Sequence, residues 1–142
     1  MQITSPAFKE GEEIPKQFSC HGDDINPELI IEGIPPGTET LALIVDDPDA
    51  PGKTWVHWVV FNIPVTGKIE QDTTPGEQGV NDFEQEDYGG PCPPSGTHRY
   101  FFKLYALSTK FNLDKPTKTQ LESAMEGKIL DKAELMGRFT KS

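Results

Sequence analysis

The chain has 142 residues, with 13 Lys and Arg against 23 Asp and Glu, a formal net charge of −10. A chain of this length buries about two-thirds of its unfolded surface, so one domain over residues 1–142 with its own hydrophobic core is expected. Like charge repels phosphate at long range, which excludes a nucleic-acid or anionic-membrane surface but leaves room for one small anion held by local donors in a pocket.

Thirteen prolines and thirteen glycines break the apolar stretches into short runs, the texture of an all-β sandwich or barrel. Ile3 opens an edge strand, residues 11–19 read as strand or loop, and Leu29-Ile30-Ile31 is a short strand closed by the turn signal Ile34-Pro35-Pro36-Gly37. The apolar run Leu41-Ala42-Leu43-Ile44-Val45 must stop at Asp46-Asp47-Pro48-Asp49-Ala50-Pro51, because proline lacks a backbone donor and fixes φ. Strands follow at Trp55-Val56-His57-Trp58-Val59-Val60-Phe61-Asn62 and from His98 onward. The acid-, Gly- and Thr-rich residues 67–90 between them form a long connection of the kind that often carries function. After Lys115-Pro116 comes one helix. Thr117 caps it with Gln120 three residues on, Leu121, Ala124 and Met125 share a face, and Gly127 stops it. A second helical turn from Lys128 and a last strand over residues 133–139 complete the chain.

No apolar run is long enough to span a membrane, and residues 1–6 lack the basic and apolar regions of a signal peptide, so a cytoplasmic protein is expected. In that compartment Cys20 and Cys92 are favoured as two buried thiols over one disulfide, and their number and spacing fit no zinc motif.

Alternate residues of a strand share a face. Leu41, Leu43, Val45 and Asp47 form one such stripe, His57, Val59, Phe61 and Ile63 a second, and His98, Tyr100, Phe102 and Leu104 a third. Each stripe is apolar along most of its length and ends in ionisable groups, which places one shared site at an end of the sandwich. There Asp47 and Asp49 can accept a ring N–H from the imidazoles and raise their pKa. Gly89 and Gly90 can take positive φ and turn successive amides inward as an anion nest, while Pro91, Pro93 and Pro94 supply a stiff apolar collar. With the Tyr100 hydroxyl, this is a site for a small anion. Folding the acidic loop back toward the pocket calls for a cis Ala50–Pro51 bond, and Asp49 can pair with Arg99 to tether that loop. The alternative is a hydrolase using Asp47, His57 and a Cys92 nucleophile. Two histidines and two aspartates match no short metal signature, so neither a metal nor a cofactor is expected.

Taken together, Asp47-Pro48-Asp49-Ala50-Pro51, Trp55-Val56-His57-Trp58 and Gly89-Gly90-Pro91-Cys92-Pro93-Pro94-Ser95-Gly96-Thr97-His98-Arg99-Tyr100 resemble the phosphatidylethanolamine-binding protein family, which includes the Raf kinase inhibitor protein and plant flowering regulators. The chain is most similar to the family's short bacterial and archaeal branch. The likeness extends through Cys20-His21-Gly22-Asp23, Asn81-Asp82-Phe83 and Ala133-Glu134-Leu135-Met136-Gly137-Arg138-Phe139. It implies an all-β sandwich of two antiparallel sheets, with one or two short helices near the C-terminus and an anion pocket at one end. The ligand-binding residues are then Asp47, Asp49, Ala50, Pro51, Trp55 and His57 on the first two motifs, and Gly89, Gly90, Pro91, Cys92, Pro94, His98 and Tyr100 on the third. The resemblance also implies the cis Ala50–Pro51 bond. Three features depart from the family pattern: a shorter spacing before His98 than in animal members, Phe139 where tyrosine is frequent, and no counterpart of the long C-terminal helix that borders the pocket in animal members. The function implied is a non-catalytic, regulatory binding protein that inhibits a kinase or a serine protease as some relatives do. Its expected partners are a small anion such as phosphate or phosphoethanolamine, a kinase or protease target and a second copy in a homodimer, with no nucleic acid and no membrane insertion.

Overall fold

The computed structural model describes residues 1–141. Among them the strands are β1 (Gln2–Thr4), β2 (Leu29–Glu32), β3 (Thr40–Asp47), β4 (Trp55–Pro64), β5 (Lys68–Ile69), β6 (Glu77–Gln78), β7 (Thr97–Leu107) and β8 (Ile129–Thr140), with one α-helix, α1 (Lys118–Met125). They form two antiparallel sheets, ordered β1-β2-β5 and β6-β4-β3-β7-β8, which is the all-β sandwich expected. No helix among the described residues is long and apolar enough to cross a membrane.

Period-two alternation divides the large sheet between two cores. Leu41, Leu43 and Val45 of β3 and Tyr100, Phe102 and Leu104 of β7 face the small sheet, packing on Ile3, Leu29, Ile31 and Ile69. Ala42 and Ile44 face the other way, onto Leu121 and Met125 of α1. β3 is therefore buried along its whole length, which explains its unbroken apolar run.

β4 does not follow its expected stripe. Val45 pairs with Trp58 but Asp46 pairs with Val56, leaving His57 as an extra residue in a β-bulge. A second register shift, between Leu41 and Leu43, falls opposite Asn62, which sits at φ 52°. The faces therefore switch twice. Trp58, Val60 and Ile63 enter the inter-sheet core, whereas Val59 and Phe61 pack beneath the helix. His57 does not share a face with Val59 and Phe61 as strict alternation predicts.

The helix begins on the expected capping box: Gln120 N–H donates to Thr117 Oγ1 (3.2 Å) and Thr117 N–H to Gln120 Oε1 (3.0 Å). The chain turns at Gly127 (φ 76°), and the second helical turn expected from Lys128 is instead the start of β8. An isolated turn is marginal in water, whereas β8 pairs with β7 from Thr97↔Thr140 to Leu107↔Ile129. Residues 11–19 contain a 3₁₀ turn (Lys16–Phe18), and their backbone covers the outer edge of β8 through Gly11 N–H to Met136 O (2.7 Å), Ile14 N–H to Arg138 O (2.7 Å) and Arg138 N–H to Glu12 O (2.9 Å).

Two expectations are corrected here. The described peptide bonds are all trans, Ala50–Pro51 included. The loop reverses through Gly52 at φ 81° and through an Asx turn, in which Asp49 N–H donates to Asp47 Oδ1 (2.7 Å). Cys20 and Cys92 are not free thiols but a disulfide, 72 residues apart in sequence. Backbone contacts draw the two segments together: Cys20 N–H donates to Pro91 O (3.1 Å), and the Tyr88 hydroxyl donates to Phe18 O (2.8 Å). The reading from compartment had no access to that proximity.

Closing a loop of this length is worth about 4 kcal/mol in the chain-entropy model. Neither sulfur belongs to the hydrophobic cores. Cys20→Ser is therefore expected to lower stability in urea unfolding by about 2–4 kcal/mol while keeping a β-rich far-ultraviolet spectrum. Loss of that spectrum would make the bridge a condition of folding.

Candidate functional site

The stripes of β3 and β7 and the bulge of β4 end around one cavity of about 310 Å³, lined by Asp47, Ala50, Pro51, Trp55, His57, Phe83, Cys92, Pro93, Pro94 and His98. A groove of about 440 Å³ runs along β1 and β8 past Phe8 and Leu135. No buried ionisable side chain lines it, so the histidine cavity is the candidate site.

Asp47 is the centre of this cavity's chemistry. Its Oδ2 meets Nδ1 of His98 at 2.6 Å, with both side chains buried. An ionised carboxylate accepts here, which fixes the Nδ1–H tautomer of His98 and leaves Nε2 as the nitrogen that the ring offers to the cavity. Oδ1 of the same carboxylate accepts the Asp49 amide. Asp47 thus orients one imidazole and folds the loop at the same time.

His57 is oriented differently. Its Nδ1–H donates to Gly89 O (2.8 Å), so Nε2 is again the nitrogen on offer. Its backbone carbonyl accepts from Gly89 N–H (2.9 Å) and from Asn81 Nδ2 (3.2 Å). The ring lies edge-on to Phe83 (centroids 5.3 Å apart) and to Tyr100 (5.1 Å). Burial pushes its pKa below the ordinary 6.5, opposed by the Gly89 carbonyl and the Asp47 charge. The expectation of a raised pKa is overturned for this residue, because burial outweighs the Asp47 charge, whose hydrogen bond goes to the other histidine.

Of the residues expected at the site, Asp47, Ala50, Pro51, Trp55, His57, Cys92, Pro94 and His98 line one cavity. Gly89, Gly90, Pro91, Asp49 and Tyr100 do not. The glycine nest is absent because both amides are engaged, Gly89 N–H with His57 O and Gly90 N–H with Asp24 Oδ1 (2.7 Å). Neither glycine has positive φ. Gly90 is needed for another reason: a Cβ there would collide with the Phe18 carbonyl oxygen. Tyr100 is 1 % exposed and lies behind His57; its hydroxyl has no protein hydrogen-bond partner, and burial raises its pKa.

Asp49 faces away from the cavity, as the Arg99 pairing anticipated. Its Oδ2 accepts Arg99 N–H and Nε–H (2.9 Å each) and its Oδ1 accepts from the guanidinium at 2.8 Å. The Asp47–His57 pair required by the hydrolase alternative is not formed, and Cys92 carries no thiolate while it is bonded to Cys20. Phe83 is the wall residue that the motifs did not assign. Its signal was Asn81, whose Oδ1 accepts from Phe83 N–H (2.9 Å) and Gln85 N–H (3.0 Å), folding a turn that sets Phe83 against Trp55 and His57.

Comparison with known proteins gives a consistent picture. The family model described as Phosphatidylethanolamine-binding protein matches residues 4–140. The chain is 45% identical to a UPF0098 protein of Methanothermobacter thermautotrophicus, with 99% of each chain covered. It is 44% identical to a UPF0098 protein of Aquifex aeolicus, covering 99% of this chain and 89% of that one. Its structure superposes on the crystal structure of CT736 from Chlamydia trachomatis, described as a phosphatidylethanolamine-binding protein homolog, with a TM-score of 0.95 at 40% identity over 99% and 97% of the two chains. It also superposes on E. coli YbcL, described as a new member of the mammalian PEBP family, with a TM-score of 0.91 at 33% identity over 99% and 98%.

The loop tether has a pH signature. Bidentate pairing with Arg99 lowers the Asp49 pKa from 3.8 to about 2. A depressed carboxylate contributes stability that is complete above its unfolded pKa and is lost as pH falls through its folded one. Asp49→Asn is expected to cost about 1 kcal/mol at neutral pH, as the pair is partly exposed. The gap from wild type should close between about pH 4 and pH 2 in a series of thermal melts. A gap that persists unchanged at pH 2 would show that the pair is not its source.

Proposed function

The chain belongs to the phosphatidylethanolamine-binding protein family, and on that premise we propose that its cavity binds a small phosphate-class anion, phosphate or phosphoethanolamine, without turning it over. The observation that carries this reading is the pair of buried imidazoles whose Nδ1 atoms are both committed, to Asp47 and to the Gly89 carbonyl, so that both offer Nε2 to one apolar-walled cavity.

The two histidines are suited to different parts of the ligand. When His98 carries both protons, Asp47 holds Nδ1–H and Nε2–H donates to an anionic oxygen. His57 is biased toward its neutral form by burial, so its Nε2 accepts and suits a P–OH. The pair therefore matches a singly protonated phosphate. Trp55 and Phe83 form an aromatic wall able to take the ammonium of phosphoethanolamine against their faces. Asp47 has both oxygens occupied, and the lining residues include no hydroxyl and no free thiol, which supports binding over turnover.

Phosphoethanolamine binding should take up a proton, because a phosphomonoester dianion lacks the P–OH that neutral His57 requires, whereas inorganic HPO4²⁻ keeps one. Phosphoethanolamine affinity is expected to fall by up to about tenfold per pH unit above about pH 6. His98→Ala should weaken phosphate at least about tenfold, the loss of a charge-assisted hydrogen bond, and should also lower the melting temperature, because it leaves the buried Asp47 Oδ2 without its donor. Histidine resonances followed by NMR during a phosphate titration test this directly. Should neither His57 nor His98 respond at about 30 mM phosphate, well above a weak Kd of about 1 mM, the cavity is not an anion site.

A further inference from the structure

Beside the cavity lies a cluster with other chemistry. Cys20, His21 and Cys92 bring one ring nitrogen and two sulfurs within 4.8 Å of one another. Cys92 and His21 are exposed, and Cys20 is half-buried. The sulfurs are joined in a disulfide, but contacts that do not involve sulfur also hold the two segments together. Cys20 N–H donates to Pro91 O (3.1 Å), and Gly90 N–H donates to Asp24 Oδ1 (2.7 Å). The Ser19 hydroxyl donates to Lys16 O (2.7 Å) and accepts from His21 N–H (3.2 Å). Gly22 completes that turn by its lack of a side chain, since a Cβ there would meet the Lys16 carbonyl oxygen. Cys92 stands between two buried prolines, each with restricted φ. The His21 ring stacks on Phe139 at 6.4 Å between centroids and 19° between planes, which limits its orientation.

Opening the bridge would therefore leave two thiols and an imidazole gathered at the same rim. We propose that the reduced protein binds one soft divalent cation, of the Zn²⁺ class, through Cys20 Sγ, Cys92 Sγ and a ring nitrogen of His21. Two thiolates and one imidazole are three of the four ligands that such an ion takes in tetrahedral coordination, with water as the fourth. The net charge of −10 favours a cation approaching this rim. The chemistry balances in two steps. A dithiol reductant passes two electrons and two protons to the bridge, becoming a cyclic disulfide as Cys20 and Cys92 become thiols. The cation then displaces both thiol protons and accepts the two sulfur lone pairs. Thiol–disulfide exchange is thereby the switch between a stapled rim and a metal-holding rim. Sequence spacing hides the site, because the two cysteines are separated by 72 residues and meet only in the fold.

The test uses the whole chain, reduced with dithiothreitol, freed of it by anaerobic desalting, and titrated with Co²⁺ as a spectroscopic stand-in for Zn²⁺. The expected result is one equivalent bound with thiolate-to-cobalt charge-transfer bands in the near ultraviolet, displaced by Zn²⁺ and absent in the oxidised protein. Cys20→Ser and Cys92→Ser should each weaken the bands and the affinity. His21→Ala should keep a sulfur band but lose at least tenfold in affinity. The zinc-loaded protein should also resist reoxidation by diamide. Absence of the bands at one equivalent would overturn the proposal, as would a His21→Ala affinity equal to wild type. A reduced wild-type protein that is unfolded by circular dichroism would overturn it too, because the site needs the turn contacts to hold the ligands without the bridge.

Discussion

Two consecutive carboxylates at the end of β3 constrain everything around them. Asp46 and Asp47 are 0% and 2% exposed, and the strand period sends them to opposite faces of the large sheet. A buried ion without a partner costs several kcal/mol, so each face must supply a cation or donors. On the helix side, Lys118 and Lys103 reach Asp46 Oδ2 at 2.7 Å and 3.0 Å, and the first of these pins α1 to the sheet. On the cavity side, His98 and the Asp49 amide divide the two oxygens of Asp47. Compensating one pair of charges thus places the helix on one face and the histidine pocket on the other. Asp46 Oδ1 remains without a hydrogen bond. The lysine pair is therefore better understood as fixing where the helix sits than as a large source of stability.

The sequence was most readable where local rules act alone. The stripes of β3 and β7, the Thr117–Gln120 capping box and the Asp49–Arg99 pair needed only period, spacing and charge. β4 was misread because a bulge is a tertiary decision: one strand must serve two cores, and inserting His57 and Asn62 re-aims the side chains between them. The same bulge swings His57 into the cavity, so the departure from strict alternation and the place of His57 at the cavity share one origin. Gly89 and Gly90 do not form the expected nest. Amides can form a nest only if nothing else takes them, and His57 and Asp24 do. The disulfide and the trans Ala50–Pro51 bond depended on proximity and on alternative turn chemistry, neither of which composition encodes.

Net charge and local geometry pull in opposite directions at the cavity. A protein of −10 charge repels an anion until screening intervenes, over about 8 Å at physiological salt. Inside that distance the count changes. An anion entering the cavity meets Asp47, whose charge would turn it away unless His98 carries the compensating proton; the Asp47–His98 pair is then neutral as a unit. His57 adds no charge in its neutral form, and Arg99, the nearest guanidinium, is occupied by Asp49 outside the lining. The cavity therefore offers hydrogen bonds and apolar walls more than a positive potential. Such a site discriminates among phosphomonoesters by protonation state, since adding one negative charge to the ligand removes the only P–OH that His57 requires and increases repulsion from Asp47. The long-range field controls how often an anion arrives, and the two Nε2 atoms control which anion can stay.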